Sequence, residues 1–287
     1  MTNYRANRTL PYRIEFIRQL KRRRTVVSYG LMVALPLIVV AAVKFGPQSG
    51  STGSGGGGSN FGSGNLNLIG LATTGAFNFT LVMLLFGSGF LLTTVFAMFC
   101  GDTVASEASW STLRYLLATP VPRRRLLAIK LSVGLTLSFM AIALLVVASL
   151  AIGWVAFGNA PLTSPLGGTF ELTEALWRIV IISSYIFTTL LFACGIAFLM
   201  TVATDVPLGA VGTAVILVIV SQILDALEAL GDLRQWLPSH YSNAWTDALG
   251  PTIDWSSMAR GAAFSVIAFI ILTTWAALKF DKKDVLS

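Results

Sequence analysis

Chemistry in this chain has few places to sit. The 287 residues include one histidine, His240, two cysteines, Cys100 and Cys194, and thirteen carboxylates. A zinc or haem site needs a Cys/His set at ligand spacing, and neither a CxxC motif nor a Cys/His cluster is present. No metal is therefore expected. A phosphate-binding loop needs Gly-Lys-Ser/Thr, so that backbone amides cradle phosphate while the lysine reaches the terminal groups. The sequence has no Gly-Lys dipeptide. Gly87-Ser88-Gly89 invites comparison with intramembrane serine proteases, but Phe86 stands where their pattern needs glycine. The richest polar stretch is Gly101–Arg125, GDTVASEASWSTLRYLLATPVPRRR, between two long apolar runs. On a helix, Trp110, Leu113 and Leu117 share one face at three- and four-residue steps. That face suits a groove on a soluble partner, with Glu107 available for a charged hydrogen bond. Pro120 and Pro122 end the helix, and Arg123, Arg124 and Arg125 pin the next segment to lipid headgroups. An ordinary loop carrying a basic block explains the same residues.

The elements that must hold this stretch are membrane spans. The chain is 55% hydrophobic and 11% charged, with mean hydropathy +0.75. Soluble domains carry about 25% charged residues. Apolar runs of about 18 residues or more are span candidates. Six occur, at Val26–Val43, Phe77–Phe99, Leu127–Phe157, Leu176–Val202, Leu208–Leu227 and Gly261–Phe280, with Pro36 inside the first. The expected fold is an all-α membrane protein forming a single transmembrane domain over residues 1–287.

Net charge is +7, yet the basic residues lie in short blocks beside apolar runs, which points to membrane topology rather than nucleic acid. Sixteen of the twenty lysines and arginines fall before span one, around the second-to-third connection, or at the C-terminus. Lys44, Arg178, Arg234 and Arg260 fall on the other side. The positive-inside bias then places both termini in the cytoplasm of a multi-pass plasma (inner) membrane protein. Residues 1–25 supply an N-terminal amphipathic interfacial helix, with Leu10, Ile14, Phe16, Ile17 and Leu20 in one arc. Residues 46–75 form an uncharged Gly/Ser-rich outer loop. Residues 228–260 read as an outer interfacial or re-entrant element of short helices, with Trp236, Tyr241 and Trp245 at the membrane surface.

Ionisable groups near span ends are candidate gate or substrate contacts, and Arg178, Asp225 and Glu228 qualify, either pairing across the bundle or reaching interfacial water. Ala210-x-x-x-Ala214 and Gly209-x-x-x-Thr213 offer a small-residue face on span five, a candidate contact between chain copies. Cys100 and Cys194 are expected at different depths, both reduced and buried.

The pattern G-D-x-x-A-x-E-x-x-x-x-T-L-x-x-L-L-x-x-P-x-x-R, running from Gly101 to Arg123, resembles the signature of the ABC-2-type transporter permeases. The six spans, the basic N-terminal helix and the charged tail fit the same family, while Ser111 replaces a frequent glycine. The resemblance implies the membrane subunit of an ATP-driven exporter of drugs, peptides or lipids, not itself an enzyme. It implies two partners, a separate ATPase that binds ATP and Mg, and a second permease copy or related permease. It also implies a cytoplasmic coupling helix, in which Glu107, Trp110, Leu113, Arg114 and Leu117 contact the ATPase while Arg123 and Arg124 fix the loop. An ion-coupled carrier or channel is the alternative, although coupling usually leaves carboxylates at mid-membrane, where this sequence has none.

Overall fold

A computed structural model describes residues 12–45, 68–109, 122–204 and 206–282. Six helices are long and apolar enough to cross a membrane: Arg23–Phe45, Ala76–Gly101, Arg123–Phe157, Leu172–Ala203, Pro207–Asp225 and Trp255–Asp281, here spans one to six. Each overlaps its expected run, and most extend a few residues beyond it. Local chemistry sets the ends. Pro122 and Pro207 start spans three and five, where a missing amide is harmless. The Asp254 side chain accepts from the Ser256 amide at 2.9 Å to begin span six. Gly158, at φ +79°, stops span three.

The spans do not share burial equally. Over their most apolar stretches, spans two and four are 56% buried, whereas spans one, five and six are 17% buried. Span four is the hub, packing on six, two and five, while span three joins one to two. The outward faces are apolar: Ile38, Val155, Leu208 and Ile267 are all more than half exposed. Apolar surface around helices of this length belongs in lipid, where every backbone group must bond within its own helix. This is a multi-pass membrane protein.

Span two is not uniform. A π-helical turn at Gly87–Leu91 interrupts it. The Thr93 hydroxyl lies 3.2 Å from the Ser88 carbonyl and 3.1 Å from that of Gly89, restoring bonding where the ladder loosens. Spans two and three approach closely because Gly134 has no side chain. A Cβ there would meet the Phe99 carbonyl oxygen at 3.0 Å.

Hydrogen bonds define two ends. At one, here the basic end, lie the surface helix Tyr12–Leu20, the second-to-third connection and the end of span six. At the far end a two-residue β-hairpin, Leu162–Thr163 with Thr169–Phe170, caps the connection between spans three and four. Hydropathy gives no hint of it. Asn78 Oδ1 accepts from the Thr163 amide at 3.1 Å, and the Ser164 hydroxyl donates to the Leu249 carbonyl at 2.6 Å. The segment between spans five and six forms two 3₁₀ stretches, Glu228–Trp236 and Ala244–Leu249. Trp236 is exposed there, but Trp245 is 3% exposed and belongs to the core rather than the surface.

Candidate functional site

The basic end holds an ionic cluster inside the chain. Lys130, 1% exposed, sits two turns into span three. Its ammonium lies 2.8 Å from Glu107 Oε1, 3.5 Å from Glu15 Oε1 and 3.0 Å from the Thr103 carbonyl. Arg18 bridges the two carboxylates, bonding Glu15 at 2.8 Å and also pairing with Glu107. A second group adjoins it. Arg22 lies 2.8 Å from Asp102 Oδ2 and 3.3 Å from the Ser106 hydroxyl, and Arg24 pairs with the other oxygen of Asp102. Three carboxylates thus face four cations drawn from the surface helix, the start of span one, the segment after span two, and span three.

The surface helix folds onto this cluster because Glu15 and Gln19 face inward. Gln19 donates to Glu15 at 3.1 Å, and its backbone carbonyl takes the Thr25 hydroxyl at 2.8 Å. Phe16 and Leu20 pack against the core, whereas Ile14 and Ile17 face outward, 65% and 47% exposed. The expected apolar arc is therefore split, because satisfying the buried lysine fixes which side of the helix turns in. Residues 101–107 are held just as firmly. The amides of Val104 and Ala105 both donate to the Thr201 hydroxyl, at 3.3 and 2.9 Å, tying the short helix Ala105–Ser109 to span four.

Burial and pairing pull against each other here. Burial pushes the Glu15 carboxyl up, but Lys130, Arg18 and the bond from Gln19 outweigh it and hold the group below its usual range. Asp102 goes the other way. Its burial outweighs Arg24 and Arg22, and its pKa rises. Burial likewise lowers Arg22, whereas Arg18 is raised because Glu15 and Glu107 outweigh its own desolvation. Glu15 is thus the firmly ionised anchor, and the Asp102 group carries the larger desolvation burden.

Glu107 departs from the sequence expectation. Its carboxylate is 4% exposed and engaged within the chain rather than left available to a partner. Trp110, Leu113, Arg114 and Leu117 lie outside the described residues. Arg123 donates to the Asp281 carbonyl at 3.1 Å and Arg124 pairs with its carboxylate at 2.8 Å, so these arginines fasten span three to the end of span six. Lys130, Asp102 and Glu15 were not singled out by sequence reasoning. A lysine seven positions inside an apolar helix, with carboxylates following the preceding span, is the signal that could have found them.

At the far end, Arg178 and Asp225 do not pair across the bundle. Arg178 is 2% exposed and donates to the carbonyls of Ala248 at 2.5 Å and Gly250 at 2.7 Å. It also bonds Glu174 at 2.8 Å and lies 3.6 Å from the Phe170 ring centroid. It therefore clamps the end of the second 3₁₀ stretch. Asp225 instead meets His240 Nδ1 at 2.7 Å, with Arg234 at 3.9 Å, and Glu228 is exposed. The small face of span five is spent inside the chain, since Ala210 and Ala214 are fully buried.

The cysteines are neighbours rather than at different depths: Cys194 Sγ lies 3.8 Å from the Phe96 carbonyl, one turn before Cys100, and both are buried free cysteines. Span four overshoots span two at the basic end, with Thr201 level with Ala105, which brings Cys194 up to Cys100. Among the described residues, no group of three or more His, Cys, Asp or Glu could hold a metal ion.

A family model described as "Protein of unknown function (DUF2705)" matches residues 37–286. The chain belongs to that family. The match takes in Asp102, Glu107 and Lys130 and begins after Glu15, Arg18, Arg22 and Arg24. No curated protein matches the chain.

Proposed function

We propose that this protein is the permease subunit of an ATP-driven exporter of the ABC-2 type, moving an amphipathic or hydrophobic substrate outward. Both termini are cytoplasmic in this reading, and a separate ATPase binds ATP and Mg. A second permease copy or related permease completes the path.

The observation that carries the proposal is how residues 101–107 are held. A coupling element must pass force, so it has to be joined rigidly to the spans at one end and reach a partner at the other. The ion pairs from Glu107 to Lys130 and Arg18, and the two amide bonds to Thr201, join this segment to the surface helix, span three and span four together. A push delivered through residues 110–121 would then move a whole end of the bundle rather than a loop. Glu107 acts in this scheme as the inner anchor of the lever, and the contact to the ATPase falls to Trp110, Leu113, Arg114 and Leu117.

The test is ATP turnover by the chain co-purified with an ABC ATPase from its own host. Leu113→Asp places a charge on the docking face, and we expect at least tenfold less ATPase captured. Lys130→Met loosens the anchor, so the ATPase should still be captured while its stimulation by the permease falls. If no ATPase is captured, or Leu113→Asp captures as wild type, the coupling assignment fails and the carrier or channel alternative replaces it.

A further inference from the structure

The far half of the bundle contains a cavity of about 500 Å³ between spans two, four and five, lined also by Pro238, Ser239 and Asn243. This is within the range of sites for small organic ligands, about 300–1,000 Å³. Ser88, Gly89 and Phe90 of the π-helical turn at Gly87–Leu91 form part of its wall, so the irregularity in span two lines the cavity. Irregular backbone at membrane depth is tolerated where it lines a cavity, and π turns concentrate at functional sites.

The lining is divided. Phe86, Phe90, Ile186 and Phe192 provide apolar walls from spans two and four. Ser221, Gln222 and Asp225 from span five meet Ser239 and Asn243 at the other side, with the Ser221 and Ser239 hydroxyls 2.8 Å apart. Among the described residues, Asp225 is the only charged one in the lining. Its recorded partners, His240 and Arg234, both engage Oδ1, and among the described residues Oδ2 has none. Arg234 and His240 stand on the Oδ1 side and are not among the described lining residues, so an anionic headgroup in this cavity would meet the carboxylate first. A cationic one would gain a counterion at Oδ2.

We propose that this cavity is a binding site for an organic cation with an apolar body, its charge against Asp225 and its body between spans two and four. The proposal builds on the export reading by giving the substrate class, while the binding step itself needs no ATPase.

The experiment uses the purified full chain and two probes of one shape and opposite charge, tetraphenylphosphonium and tetraphenylborate, followed by equilibrium dialysis in neutral detergent. Wild type should bind the cation specifically, and Asp225→Asn should weaken it about tenfold without weakening the anion. Gly89 lines the cavity, and a Cβ built there meets nothing within 4 Å, so the side chain of Gly89→Leu starts into open space. That variant should lose cation binding while melting as wild type. Cation binding unchanged in both variants, or wild type binding the anion as tightly as the cation, overturns the proposal. The two readings fail separately. Asp225-dependent binding without ATPase capture leaves the site standing and removes the exporter; ATPase capture without cation binding does the reverse.

Discussion

Replacing Lys130 tests the ionic cluster most directly. The ammonium is 1% exposed and lies 2.8 and 3.5 Å from two carboxylates that are themselves nearly buried. At an effective dielectric near 20, attraction across the shorter gap is about 6 kcal/mol, and across the longer about 5 kcal/mol. Desolvating an ion offsets this by several kcal/mol, so intact buried pairs contribute little net stability, whereas removing one partner costs about 3–5 kcal/mol. Arg18 remains to neutralise both carboxylates in Lys130→Met, but its side chain is 46% exposed and its effect is screened. The lower end, about 3 kcal/mol, is the expected loss. At about 2–4 °C per kcal/mol, the melting temperature should fall by about 6–12 °C. The assay is thermal unfolding of the detergent-solubilised chain as a double-mutant cycle with Glu107→Gln. Lys130→Met with Glu107→Gln removes one charge of each sign and should recover at least half of the loss. If Lys130→Met melts within about 1 °C of wild type, or the double variant is no better than Lys130→Met, the argument that unpaired burial dominates is wrong.

Acid should act on this cluster through Glu15. Its folded pKa lies below the ordinary carboxylate value of 4.5, so its stabilisation is fully present above that value and is lost as pH falls through the lower folded pKa. Asp102, with a raised folded pKa, gains stability over the same descent, so the net acid loss should be shallow in wild type. Removing Glu15's share with Glu15→Gln should lower stability at pH 7 and flatten or invert the profile below 4.5, read by melting temperature against pH. Arg178→Ala should free the Ala248 and Gly250 carbonyls and destabilise the second 3₁₀ stretch by about 2–4 kcal/mol. The fluorescence of buried Trp245 should shift red in native conditions, and Arg178→Lys should restore only part, because one ammonium cannot reproduce the planar fork. An unshifted Trp245 would show that the clamp is dispensable.

Six spans, their limits within a few residues, and the placement of a basic block beside the second-to-third connection were all legible before any coordinates. Hydropathy is a sum over about twenty neighbouring residues, so a span declares itself locally. Pro122, Pro207, Asp254 and Gly158 mark helix ends by equally local chemistry. What each charge does was not legible. Glu107 looks like a free carboxylate in the sequence, and only the rotation of span three brings Lys130 beneath it while the surface helix, 89 positions away in sequence, delivers Arg18. Whether Arg178 and Asp225 pair or reach interfacial water is open in the sequence, and the far-end segment decides it by taking one with backbone carbonyls and the other with His240. The cavity likewise is lined by a π turn in span two, which composition does not foretell. Sequence by itself determined where the chain crosses the membrane, because transfer into lipid is decided by the summed hydropathy of about twenty neighbouring residues. Tertiary structure decided which ions meet, because a buried charge is stabilised only by a partner within a few ångströms, and that distance is set by how helices turn against one another.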